Sequence, residues 1–256
     1  MCGSEDLRLF YTQGNRDEFR FYRCRRCRLV NYDLSTGLNQ EKYAVAAPDP
    51  RDDGAAANRG PTKTFDFIRR RLPCRGKLLD IGCGNGRLLW LARRAGFEVA
   101  GLELSSSLAD RVRRELGVDV IAADFLSMAD EPASCCDVVV LRHVLEHLPD
   151  PLAAMGRIRA RLAPSGHAVL EFPNIEGWDL ALKRILRRAG LHRKRYPANY
   201  QPGHCNEYGR ASFRFLLQKT GFELVRWETY SLNAAQNLLF SVLPVANKAR
   251  ALIRRA

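Results

Sequence analysis

"KLLDIGCGNGRLLWLARRAGFEVAGLE", residues 77–103, decides how the chain folds. Lys77–Ile81 is a short apolar run interrupted by one acid, Asp80, and has the length of a buried strand. Gly82, Gly84 and Gly86 follow within five residues and let the backbone turn sharply. Gly86–Ala95 then has helical periodicity, and "FEVAGLE" is a second strand. Two strands joined by one helix over so few residues run parallel, with the helix as the crossover.

The same rhythm continues downstream. Ser105–Leu116 is a helix that opens with serine caps, and "VDVIAAD" is a third strand. "DVVVL" is a fourth strand, apolar throughout and so buried on both faces. Pro151–Leu162 is a helix, "HAVLEF" a fifth strand, Ala211–Thr220 a helix, and "FELVRWETY" a sixth strand with clean alternation. This predicts an α/β fold with a doubly wound, mostly parallel, Rossmann-like sheet over residues 62–230, with an insertion at 180–209. Thr62 caps a further helix through Leu72. Residues 44–61 are small and Pro/Gly-rich and read as a linker. Residues 1–43 form a small appendage. Residues 231–256 read as a basic helical tail kinked near Pro244, with no seventh strand.

In such a sheet the ligand lies across the carboxyl ends of the strands, where the glycine loop sits. Its residues are Gly82, Cys83, Gly84, Asn85 and Gly86, and the next helix presents free N–H groups there. Glu103 closes the second strand, 19 residues after Gly84, where a carboxylate can accept both hydroxyls of a ribose. The glycines read GxGxG rather than GxGxxG, and Asp80 precedes the first by two residues. A carboxylate there repels a pyrophosphate and suits a ligand with positive charge.

Taken in order, "LLDIGCGNG", "GLELS", "AADF" and "HVLEHL" resemble the class I S-adenosylmethionine-dependent methyltransferases, in the small-molecule group with an H-x-x-E-H segment after the fourth strand. The resemblance implies that Asp80 and the Gly82–Gly86 backbone, with Cys83, surround the methionine part and that Glu103 holds the ribose. Leu104 is expected near the adenine, Asp124 on its amino group, and Phe125 beside it. Arg142 and His143 are expected on the methionine side. His143 and His204 are the candidate catalytic residues, and Glu146 and His147 are expected to shape the segment. No D/N-P-P-aromatic segment follows the fourth strand, which argues against an enzyme that N-methylates adenine or cytosine in nucleic acid.

Cys24 and Cys27 in "FYRCRRCRLVNYD", with Cys2 22 residues before Cys24, resemble a partial zinc ribbon. Cys2, Cys24 and Cys27 are then metal ligands. Arg28 stands where such a knuckle carries glycine, and a fourth ligand is expected upstream of Met1 if the start is clipped; a degenerate ribbon without metal is the other reading.

The 256 residues are 46% hydrophobic, enough for a packed core, and no run has the length of a membrane span. Without a secretion-signal pattern, a cytoplasmic protein is expected. The net charge of +13 attracts anions without naming them. Leu180–Arg195 holds seven cations and no carboxylate, and reads either as a solvated helix face or as an anion-attracting surface. The leading expectation is methyl transfer, with O-methylation favoured, to a small or lipid-linked, anionic metabolite, with peripheral contact with an anionic membrane. An RNA-directed methyltransferase and a non-catalytic cofactor-binding subunit are the alternatives.

Overall fold

The computed structural model describes residues 1–39, 47–128, 136–191, 194–231 and 246–256. Six strands fall where periodicity places them: β4 (Lys77–Ile81), β5 (Glu98–Glu103), β6 (Asp119–Ala122), β7 (Cys136–Arg142), β8 (Leu162–Pro173) and β10 (Phe222–Tyr230). The β4·β5, β5·β6, β4·β7 and β7·β8 pairs are parallel. The chain leaves β4 toward β5 on one side and reaches β7 on the other, so β4 is the switch point. Val138–Leu141 of β7 are buried throughout, as an apolar strand covered on both faces must be. The covering helices are α1 (Arg59–Arg69), α2 (Arg87–Arg94), α3 (Ser106–Leu116), α4 (Pro151–Arg161) and α6 (Arg210–Thr220). Ser105 caps α3, its hydroxyl accepting from the Leu108 amide at 3.4 Å. Asp150 caps α4, accepting from the amides of Leu152 and Ala153 at 3.0 Å each.

The chain end departs from expectation. Lys248–Arg255 is not helix but a strand, β11, inserted antiparallel between β8 and β10. It completes a seven-stranded sheet of order β10-β11-β8-β7-β4-β5-β6. Ala, Leu, Arg and Lys favour helix locally. The slot between two strands buries Ala249, Ala251, Leu252 and Ile253, and burial at about 1.5–3 kcal/mol for each large side chain outweighs that preference. The kink expected near Pro244 lies outside the described residues.

The two N-terminal segments are also more tightly joined than their composition suggests. β1 (Leu7–Gln13), β2 (Phe19–Cys24) and β3 (Val30–Tyr32) form an antiparallel sheet whose fourth strand, β9 (Asn206–Glu207), comes from the insertion. Cys24, Cys27 and Leu29 are buried in the main core. Residues 47–58, read as linker, are a strap across the glycine loop, and α1 starts at Arg59 rather than Thr62. The Asn85 amide donates to Pro48 O at 3.0 Å and to Asn58 Oδ1 at 2.8 Å. The buried Arg87 guanidinium donates to Pro50 O at 2.8 Å and pairs with Asp53. Among the described residues, no helix is long and apolar enough to cross a membrane.

Candidate active site

The loop after β4 is wound by residues in the left-handed region. Gly82 has φ +75°, and a Cβ there would lie 2.4 Å from Val144 Cγ2, so only glycine fits. Gly84, at φ +55°, would meet nothing within 4 Å: the backbone is bare toward open space. The loop is held from below by Glu103, whose Oε2 accepts from the Gly84 amide at 2.8 Å and whose Oε1 accepts from the Ser105 amide at 2.9 Å. Asp80, beneath the loop, is 3% exposed, and its Oδ1 has no hydrogen-bond partner. Burial raises its carboxyl to about 7; Arg142 opposes this, while Glu103 and Glu171 add to it.

Two clefts meet at Gly82 and Gly84. The first, about 300 Å³, is lined by Glu103, Leu104, Asp124, Phe125, His143 and His147. The second, about 400 Å³, is lined by Asp80, Cys83, Arg142 and, from the strap, Ala47 and Pro48. Every residue that the resemblance assigns to the cofactor, Gly86 excepted, therefore borders one of these two adjoining clefts. Asp124 is also a turn residue: its Oδ1 accepts from the Leu126 amide at 3.0 Å, and it bonds the Ser127 hydroxyl. Leu104 is 63% exposed, a free apolar wall.

At the tip of β7, His143 has φ +58°, a left-handed conformation uncommon outside glycine. Its amide donates to Glu171 O at 2.8 Å, which pins it there. The ring is engaged on both nitrogens. Nδ1 lies 3.1 Å from Glu146 Oε1, and Nε2 lies 3.1 Å from Lys248 Nζ. An ammonium can only donate, so Nε2 accepts and Nδ1–H donates to the carboxylate. Burial works against charge on Glu146, yet the hydrogen bond with His143 and the three nearby histidines hold its carboxyl below the usual range. Lys248 is drawn down, chiefly by burial and then by Arg142. Sequence reading missed Lys248: it lies on the strand read as helix, 105 residues from His143.

Lys248 belongs to a buried polar seam under the site. Arg250 pairs with Glu171, which also accepts from the Thr64 hydroxyl and the Tyr230 hydroxyl at 2.8 Å each.

His204 does not line either cleft. Its ring stands edge-on to His147, with centroids 4.8 Å apart, and its Nδ1 is 3.9 Å from Glu207 Oε1. Glu146, His147 and His204 bring their ligand atoms within 4.8 Å of one another, a grouping able to hold a cation. Cys2, Cys24 and Cys27 converge to the same limit, with Cys2 and Cys24 sulfurs 3.4 Å apart. Three thiols suit one face of a zinc ion, which takes four ligands; this group contains no fourth cysteine or histidine among the described residues. Arg28 has φ +64°, the conformation that makes glycine usual at that position.

A methyltransferase-domain family model matches residues 55–226. Curated relatives include a ubiquinone biosynthesis O-methyltransferase of Ralstonia nicotianae, 40% identical over 111 residues, covering 40% of this chain and 46% of the relative. Another, from Cupriavidus pinatubonensis, is 39% identical over 105 residues, covering 38% and 41%. The chain thus aligns with less than half the length of these relatives. Among solved structures, a Pyrococcus horikoshii protein superposes with a TM-score of 0.61 at 20% identity, covering 85% of this chain and 100% of its own. An S-adenosylmethionine-dependent methyltransferase of Mesorhizobium loti gives 0.57 at 22%, covering 79% and 99%.

Proposed function

Because this chain belongs to the methyltransferase-domain family, with S-adenosylmethionine as cofactor, we propose that it methylates a hydroxyl oxygen of a small, anionic acceptor. The observation that carries the choice of oxygen is His143 held between Glu146 and Lys248 at the edge of the cofactor cleft. A neutral amine attacks with a free lone pair, whereas a hydroxyl must lose its proton as the new bond forms. A base with its far nitrogen already fixed on a carboxylate is built for that task.

Asp80 and the bare Gly82–Gly86 backbone, with Cys83, would hold the methionine portion, where a buried carboxylate with an unpartnered Oδ1 fits a cation. Glu103 would take the ribose hydroxyls, Leu104 and Phe125 would flank the adenine, and Asp124 would accept from its amino group. Arg142 would face the methionine carboxylate. The cofactor supplies a methyl group on a positively charged sulfur. His143 Nε2 would exchange the Lys248 ammonium for the acceptor's hydroxyl proton as the oxygen's electron pair takes the methyl carbon, the carbon–sulfur bond breaking with its electrons returning to sulfur. Lys248 then neutralises the charge developing on the oxygen. Glu146 keeps the ring oriented and shares its charge.

The test is transfer of labelled methyl to a panel of hydroxylated acids, with product regiochemistry by NMR. His143→Ala should lose methyl transfer by about 10²–10⁴-fold, far more than it loses in cofactor affinity. Methyl groups found on nitrogen or carbon, or an unimpaired variant, would overturn this reading.

A further inference from the structure

A third cleft, about 430 Å³, lies between β1 and α5 (Trp178–Arg188) of the insertion, with Glu207 of β9 in its inner lining. Its volume is in the range of small-molecule sites. The apolar part of its wall is Tyr11, Ile175 and Leu180, with Tyr196 opposite. Its charged lining is Lys183, Arg184, Arg187 and Lys194 against one carboxylate, Glu207.

The cleft is built rather than incidental. The Asn15 side chain joins both sides of the Tyr196 peptide, donating to its O at 2.8 Å and accepting from its N–H at 3.0 Å. Arg187 ties α5 to β1, donating to Thr12 O at 2.8 Å and pairing with Asp17. Arg184 lies 4.5 Å over the Phe10 ring, and Lys194 lies 4.9 Å over the Tyr196 ring. Ring faces orient these cations without cancelling their charge.

The inner end points toward the methyl-transfer site. Glu207 stands 3.9 Å from His204, His204 is packed on His147, and His147 lines the cofactor cleft. We propose that this cleft seats the anionic head of the acceptor, and that the head is a phosphate or diphosphate on an apolar body. Among the described residues the walls carry four cations, Lys183, Arg184, Arg187 and Lys194, with Glu207 at one end and Asp17 beside Arg187. A phosphate offers these ammonium and guanidinium donors more charged acceptor oxygens than a single carboxylate does. Tyr11, Ile175 and Leu180 take the apolar body. The inference rests on the methyltransferase reading, since that reading makes the row His204–His147 lead to a reacting centre.

The experiment is titration calorimetry on the full chain with geranyl diphosphate, geraniol and inorganic pyrophosphate, beside sedimentation with phosphatidylglycerol vesicles. S-adenosylmethionine affinity is measured on every sample. Geranyl diphosphate should bind saturably, more tightly than pyrophosphate, and geraniol should not bind. Lys183→Glu combined with Lys194→Glu should weaken it by about tenfold or more, with cofactor affinity unchanged. Saturable binding of the soluble diphosphate assigns a soluble acceptor. Binding only to vesicles, lost in the same variant, assigns a lipid head group. Binding to neither by protein that still takes up the cofactor, or equal binding by the charge-reversed variant, overturns the cleft assignment. Failure of the wild-type chain to bind the cofactor refutes the methyltransferase reading itself.

Discussion

Asp80 should make cofactor affinity rise with pH, and the size of the effect follows from its burial. In the free protein its carboxyl, ordinarily at 3.8, is raised to about 7, chiefly by burial. A cationic ligand binds the ionised form, so in acid the protein must first release a proton. The apparent dissociation constant is multiplied by 1 + 10^(pKa − pH), about elevenfold at about pH 6 and about 1.1-fold at about pH 8. Affinity should therefore improve about tenfold, or about 1.4 kcal/mol, across that interval. Binding should release about 0.9 of a proton at the lower pH and about 0.1 at the upper. Calorimetry in buffers of different ionisation enthalpy measures both quantities. Asp80→Asn supplies the reference: it retains the ligand's own titrations and lacks this one, so the difference between the two profiles isolates Asp80. The linkage also has a stability side. A carboxyl raised on folding holds a proton that the unfolded chain has lost, so the free protein should lose stability as pH climbs from about 4 to about 7. If wild type and Asp80→Asn share one pH profile for cofactor binding, no cation sits over this carboxylate, and the loop must hold something else.

Four other outcomes follow. Gly82→Ala forces a Cβ against Val144 at positive φ and should cost about 1–3 kcal/mol in thermal unfolding, with cofactor binding lost. Lys248→Met should lower kcat about 10²-fold and leave cofactor affinity intact, while Lys248→Arg recovers part of the rate; an effect confined to KM would place this ammonium outside the chemistry. Arg250→Met leaves Glu171 buried without its cation and should cost about 3–5 kcal/mol in urea unfolding, and adding Glu171→Gln should restore part of that loss. Cobalt titration should give thiolate charge-transfer bands that Cys24→Ser weakens; their absence from wild type would leave the three sulfurs as packing alone.

Elements whose signals are local are legible in the residues themselves. Lys77–Ile81, Glu98–Glu103 and Phe222–Tyr230 carry their own period, and the glycine spacing locates the loop between the first two. These features report on neighbours within one strand, turn or helix, where backbone stereochemistry relates spacing to orientation. β11 is illegible in the same terms because its residues favour helix in isolation and become strand only by filling a slot between β8 and β10.

What the sequence alone determined, then, is the alternation of strands and helices from Lys77 to Tyr230 and the glycine loop at its switch point. Only the tertiary structure decided that Lys248 meets His143, that residues 47–58 close over the loop, and that β1 and α5 enclose a basic cleft. Each of those pairs residues far apart in the chain. No local period encodes such a meeting, because it is set by how whole elements bury their apolar faces against one another.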